Sequence, residues 1–297
     1  MSPKRIVVIG DVMLDVIVQP TSPVAPTSDT PANVRLGRGG AGANVAVALA
    51  GAGHEVTYVG VVGDDVAGGQ FVEDLLQAGV TPRLELVEGS TGVVVALIAP
   101  DGQRAMMTDR GVNGRLTLDS VLSALDEPFD HLHVSGYTLL DERTRAVASA
   151  ALEVASANGA GTSVDVCSVG PLQQVTAAIF LEASAGSGML SANEEEALLL
   201  SGVGDVTEAA RVLVLLFDEV LITRGRDGAL AADAFGTWSE PSRSVDVLDT
   251  TGAGDAASGA YLGARLSGSS IPRSLIDAME AAAVVVRGLG SRGQTRL

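Results

Sequence analysis

The run Asp249-Thr250-Thr251-Gly252-Ala253-Gly254-Asp255 joins an anion cradle to a carboxylate able to take a proton from a hydroxyl. Gly252, Ala253 and Gly254 leave backbone N–H groups uncovered ahead of an Ala/Gly-rich helical pattern, Ala256 to Leu266, where helix dipole and orphan donors favour phosphate. Asp255 would then sit beside the bound anion. A like charge is a poor phosphate ligand, so the acid points to work on an acceptor, and the chemistry is phosphoryl transfer to an alcohol. A tight turn with Asp255 as helix cap uses the same residues.

Other strings supply an acceptor side and a nucleotide side. Asp11 and Asp15 fall at the carboxyl end of a first apolar strand, where open α/β sheets place ligands and carboxylates accept from sugar hydroxyls; a turn cap at Asp11 and a solvated Asp15 use the same residues. Gly37-Arg38-Gly39-Gly40-Ala41-Gly42-Ala43-Asn44 lets backbone approach a ligand at Gly39 and Gly40, with Asn44 one turn into the helix that follows. A dinucleotide turn is disfavoured, because its glycines should follow the first strand directly rather than roughly thirty residues on. Asn193-Glu194-Glu195-Glu196 opens a helix; the acids suit the dipole, and Asn193 with Glu196 also suits water held around Mg²⁺. Thr223-Arg224-Gly225-Arg226-Asp227-Gly228 ends a strand in a turn that fits a nucleotide edge or a plain hairpin.

Composition narrows the mechanism. Lys4 is the one lysine, which excludes a Walker-A loop and the lysine-dependent protein-kinase arrangement. Phosphate must be held by Mg²⁺, arginine and backbone N–H groups. The net charge of -17 argues against nucleic acid and acidic membranes as partners. Cys167 is the lone cysteine, so no internal disulfide is available, and three scattered histidines lack zinc-ligand spacing. The apolar stretch Ile6 to Val18 is interrupted by Asp11 and Asp15 and reads as a buried strand rather than a signal or membrane span, which points to a cytoplasmic protein.

Apolar runs alternate with helical patterns, as in a parallel sheet covered on both faces. Strands are expected at Arg5-Ile9, Glu55-Val59, Val93-Ile98, His131-Val134, Ser163-Val166, Gly188-Leu190, Glu219-Thr223 and Ala229-Ala232, with helices at Gly42-Ala52, Ala67-Ala78, Leu118-Ala124, Asp141-Asn158, Leu172-Ala177, Asn193-Ser201, Val206-Leu216, Ala256-Ser267 and Ile271-Arg287. Val16 to Leu36 and Leu84 to Met107 break the alternation and together read as a small β-lid or a pair of exposed loops.

Taken jointly, these motifs make the chain resemble the ribokinase or PfkB-type carbohydrate kinases along essentially its full length. Gly39-Gly40 with Asn44, Gly60-Val61-Val62-Gly63-Asp64-Asp65 with Gly68, and the run from Asp249 to Asp255 are similar to that family's two signature regions in the correct order. The resemblance implies a three-layer α/β/α sandwich around a mostly parallel, Rossmann-like sheet, one domain over 1–297, with a β-lid from about 16–36 and 84–107. It implies an ATP-dependent kinase for a primary hydroxyl of a sugar or sugar derivative, with Asp255 as general base and Gly252, Ala253 and Gly254 as anion hole. Asp11, Asp15, Gly39, Gly40 and Asn44 would bind the acceptor; Thr223, Gly225 and Gly228 would line ATP with Asn193; and Asn193 and Glu196 would reach Mg²⁺ through water. Asp249 and Thr251, with the Gly290-Ser291 region, correspond to a K⁺ site in many members, and lid edges could pair two copies into a homodimer. Met13 and Ala41 replace an asparagine and a lysine of ribokinases proper, and Ser135-Gly136-Tyr137 lacks their glutamate, so ribose itself is disfavoured. Tyr137 suits stacking on a sugar or base and equally a buried place beside a strand, and Arg104 and Arg110 suit a phosphate or carboxylate on the acceptor and equally the solvated face of a lid. A nucleoside kinase is the alternative, and a non-catalytic sugar- or nucleotide-binding regulator on the same fold is a further one.

Overall fold

The computed structural model describes residues 2–98, 104–247 and 249–288. Its main sheet begins with β1 (Arg5–Ile9), whose Ile6, Val7, Val8 and Ile9 are all buried, as a strand covered on both faces requires. The chain then rises into β2 (Met13–Pro20) and β3 (Ala32–Gly39), an antiparallel pair outside that sheet, before α1 (Ala41–Gly51) returns it. β4 (Glu55–Gly63), α2 (Val66–Gln77) and β5 (Val80–Val87) extend the main sheet on one side of β1. Asp65 caps α2 by accepting from the Gly68 N–H at 2.8 Å.

β6 (Gly92–Ile98) and β7 (Arg104–Asp109) go back to the small sheet, whose order is β3-β2-β6-β7. After α3 (Leu118–Leu125), the main sheet grows on the other side of β1 through β8 (His131–Ser135), α4 (Gly136–Leu140), α5 (Arg145–Ala157) and β9 (Gly161–Asp165). Next come α6 (Val169–Val175), α7 (Ala177–Ala183), β10 (Met189–Asn193), α8 (Glu194–Ser201), α9 (Val206–Leu213) and β11 (Glu219–Thr223). Antiparallel β12 (Ala229–Asp233) and β13 (Gly236–Glu240) close that edge, and α10 (Ala253–Leu266) and α11 (Ile271–Val285) follow.

The main sheet therefore reads β13-β12-β11-β10-β9-β8-β1-β4-β5. One core packs α3, α5, α7, α8 and α9 against one face, through Leu152, Phe180, Leu213 and their neighbours. The other packs α1, α2, α10 and α11 through Leu49, Phe71, Tyr261 and Leu275. These are the three layers expected, with the small sheet as lid. No helix among the described residues is long and apolar enough to cross a membrane.

Three expectations are corrected, and two edge strands appear that the sequence did not announce. The lid strands start at Met13 and run through Gly39, while Leu84–Val87 belongs to the main sheet as part of β5. β5 is an edge strand carrying Pro82, Arg83 and Glu85; an edge needs only one paired side, so its sequence lacks the continuous apolar run of a central strand. β13 was hidden by the same edge composition. The expected helix Asp141–Asn158 begins only at Arg145, because the Asp141 carboxylate accepts the Arg143 N–H at 3.0 Å and turns the chain before α5.

The approach of α1 to α10 governs the site. A Cβ at Gly259 would stand 2.5 Å from the Ala48 Cβ and 3.0 Å from the Val45 carbonyl, so these helices meet backbone to backbone. One turn earlier on each helix lie Asn44 and Asp255. Gly259→Val is expected to cost about 1–3 kcal/mol, seen as a lower denaturation midpoint at unchanged m-value. A midpoint equal to that of the parent would show that the two helices separate freely.

Candidate active site

The chain turns from β1 toward β4 and β5 on one side and returns to β8 and β9 on the other, which opens a crevice at the carboxyl ends of these strands. The lid strands stand over it and complete a cleft of about 850 Å³, within the usual range for small-molecule sites. Asp11, Tyr137, Cys167 and Asn193 line it from the sheet side, Met13, Asp15, Val94, Met106 and Thr108 from the lid, and Thr251, Gly252 and Asp255 from the start of α10.

Gly252 holds φ 76°, the left-handed conformation that lets the chain turn into α10 without a side-chain clash. The Asp249 carboxylate shapes the approach by accepting from the Thr251 N–H (2.9 Å) and hydroxyl (2.7 Å). The Ala253 N–H bonds the Thr250 carbonyl at 3.2 Å, whereas Gly254 is exposed with open space around it.

Asp255 falls in the first turn of α10, and its Oδ2 accepts from the Asn44 side-chain amide at 2.8 Å. Arg38 donates to the Asn44 Oδ1 at 3.2 Å. Arginine only donates, so this contact fixes the amide with its NH₂ toward Asp255. Burial pushes the Asp255 carboxyl up to about 6, against the Asn44 hydrogen bond and the Arg38 charge, which both favour the ionised form.

Asn193 and Glu196 form a reciprocal cap on α8. The Asn193 Oδ1 accepts from the Glu196 N–H at 2.9 Å, and the Glu196 Oε2 accepts from the Asn193 N–H at 2.8 Å. The cap leaves the Glu196 Oε1 buried without a partner. Burial, then the nearby Asp255 charge, raise Glu196 to about 7. A buried oxygen of this kind fits a hard cation or its water shell. Among the described residues no three His, Cys, Asp or Glu side chains converge as a direct metal cage.

Thr223 pairs with Asn193 across β11 and β10, and Gly225 and Gly228 close the turn beyond it, where the Arg224 N–H bonds the Gly228 carbonyl at 2.7 Å. These three positions lie one strand further along the sheet, outside the lining of the cleft.

On the acceptor side, Asp11 is buried against Arg110, whose Nη2 lies 2.9 Å from it. Burial raises both Asp11 and Asp15 to about 6; Arg110 opposes this for Asp11, while the Asp255 charge adds to it for Asp15. Gly40 lines the cleft, and Gly39 lies on β3 where a side chain would collide with Asp15. Tyr137 packs under the Arg110 guanidinium, 5.8 Å from ring centroid to Cζ. The side chain of Arg104 and the Gly290-Ser291 segment lie outside the described residues.

Three residues went unrecognised in sequence. Arg38 sits in the glycine string with no signal but its charge, and Asp141 marks no motif. Asp165 closes β9 as Asp11 follows β1, and it is buried beside Asp255 and Glu196, which together with burial hold its carboxyl well above the ordinary range. A lone Asp ending an apolar strand was the available clue.

A doubly wound sheet with a lid over an acidic cleft, and an acid at a helix N-terminus, is the frame of a small-molecule site. Residues 3–296 match the pfkB family carbohydrate kinases, and the chain belongs to that family. It is 31% identical over 274 residues to the ATP-dependent ribose-1-phosphate kinase of Halopiger xanaduensis, covering 90% of this chain and 87% of that protein. Adenosine kinase from Sinorhizobium meliloti superposes with a TM-score of 0.89 at 22% identity, covering 99% and 97% of the two chains. A putative ribokinase II from E. coli, solved with ATP and Mg²⁺, gives 0.85 at 23% identity over 98% and 94%. The protein is thus a carbohydrate kinase of the pfkB family.

Proposed function

We propose that this kinase transfers the γ-phosphate of ATP to a primary hydroxyl of a sugar-type acceptor, with Asp255 as the general base. The carrying observation is the 2.8 Å bond from Asn44 to Asp255 at the start of α10, which aims one carboxylate oxygen while the other remains for the hydroxyl proton. A base whose value is near 6 is ionised at neutral pH yet still basic enough to accept a proton in the transition state. Gly252 and Gly254 present backbone to the transferring phosphate, with Ala253 between them.

Mg²⁺ reached from Asn193 and the Glu196 Oε1 would neutralise phosphate charge, and the unpartnered oxygen supports that placement. The Thr223, Gly225 and Gly228 turn extends the same edge for the nucleotide. Asp249 and Thr251 supply oxygens for K⁺. Asp11, Asp15 and Asn44 hold acceptor hydroxyls beneath the lid.

A nucleoside acceptor is the second reading, favoured by the apolar wall of Met13, Val94, Met106, Tyr137 and Leu140 beside these carboxylates. The retained Asp255 speaks against a non-catalytic regulator. The test is ADP release with ATP and Mg²⁺, with and without K⁺, across free sugars and nucleosides, and phosphorus NMR of the product. Phosphate on a primary carbon is the expected result; absence of ADP release across the panel would favour the regulator.

A further inference from the structure

Five carboxylates line the cleft (Asp11, Asp15, Asp141, Glu196 and Asp255), and Arg110 is the one cation among the described lining residues. Both terminal nitrogens of that guanidinium are hydrogen-bonded to the protein, and its buried Nε faces a carboxylate without a hydrogen bond. Its Nη2 meets Asp11 at 2.9 Å, its Nη1 donates to the Tyr137 carbonyl at 3.2 Å, and its Nε stands 3.4 Å from Asp141. The chain at Arg110 is anchored as well. Asn113 donates to the Arg110 carbonyl at 2.8 Å while exchanging hydrogen bonds with the Val12 backbone at 2.7 and 2.9 Å. To recruit this arginine, an anionic group would have to displace it from Asp11 and leave a buried carboxylate unpaired.

We propose that the acceptor is uncharged, a free sugar or nucleoside rather than a sugar phosphate or sugar acid, and that the Asp11–Arg110–Asp141 chain enforces this choice. The inference rests on the kinase reading above and narrows it. Hydroxyls suit the site, because each donates to a carboxylate in a charge-assisted bond. A phosphate on the acceptor meets the opposite field. One uncompensated negative charge at ~8 Å from a single carboxylate, at an effective dielectric near ~20, shifts affinity by roughly thirtyfold. This sets the site apart from what the name of the Halopiger relative describes, an enzyme for a phosphorylated pentose.

The experiment compares kcat/KM for ribose, uridine and adenosine with that for ribose 1-phosphate and gluconate, together with calorimetric binding of each to the full chain. At least one neutral acceptor is expected to exceed both anionic ones by roughly thirtyfold or more. A higher kcat/KM for ribose 1-phosphate than for every neutral acceptor overturns the inference. Calorimetric binding of a neutral acceptor without turnover removes the kinase reading and leaves the acceptor class standing; binding of the anionic set alone, or of neither set, overturns the class. Asp141→Asn removes a carboxylate that faces Arg110 at 3.4 Å and holds Arg143 at 2.6 Å, and it is expected to raise the kcat/KM of ribose 1-phosphate relative to that of the best neutral acceptor by about tenfold, as removal of one interacting charge does. General damage would lower both values together, and an unchanged ratio shows that this chain of charges plays no part in the choice.

Discussion

Asp255→Asn is expected to lower kcat by about 10²–10⁴-fold, the usual contribution of a positioned base, while ATP and acceptor still bind. Asparagine keeps the size of the side chain and an oxygen for the Asn44 amide to meet, so the loss falls on proton transfer. Stability moves the other way. The folded value of about 6 exceeds the ordinary 3.8, so the folded chain holds the proton more tightly than the unfolded one. Between those values rising pH costs stability, and above about 6 the cost of the buried charge is complete. Removing the charge should therefore leave the melting temperature at pH 8 unchanged or higher. The same value sets an acid limb in the parent enzyme: kcat/KM should fall about tenfold per pH unit below roughly 6 as the base takes a proton. Stopped-flow and steady-state rates check both points. Near-normal turnover in Asp255→Asn, or a flat profile from pH 5 to 8, would remove Asp255 from the base role.

The second large effect is expected at Glu196. Glu196→Gln should reduce kcat/KM for ATP by about 10–100-fold and raise the Mg²⁺ concentration for half-maximal rate, the scale seen when a residue supporting a bound ion is changed. The capping geometry separates this from a folding defect. Glutamine at the same position still offers an oxygen to the Asn193 N–H, now at 2.8 Å from the Glu196 Oε2, so the α8 cap survives. What disappears is the charge on the oxygen left without a partner. A titration of rate against Mg²⁺ distinguishes the cases. An unchanged Mg²⁺ dependence with an unchanged melt would confine Glu196 to capping.

Much of this architecture was legible because burial on both faces leaves a mark on composition. β1 and β11 carry short runs of Ile, Val and Leu, and each was readable as a central strand; β8 was readable from Leu132 and Val134 although His131 and His133 alternate with them. β5 and β13 were not, since an edge strand has one side unpaired and tolerates proline and charge. The lid was legible as a departure from alternation. Its boundaries were not, because Met13 to Asp15 and Leu84 to Val87 are assigned to sheets by long-range pairing.

The sequence by itself determined which groups are available: a glycine run at Gly252–Gly254 in a chain with a single lysine, an acid at Asp255, and acidic groups after the first strand. Local spacing suffices for these, because turns and helix starts depend on neighbouring residues. Only the tertiary structure decided which groups meet. Asn44 reaches Asp255 across 211 positions because Gly259 lets α10 close on α1. Arg110, which by sequence suited an anionic acceptor or a solvated lid equally, faces Asp11 and Asp141, residues 99 and 31 positions away. Burial then set the proton affinities of Asp11, Asp15, Glu196 and Asp255, since desolvation is a property of the folded surroundings and leaves no trace in the order of residues.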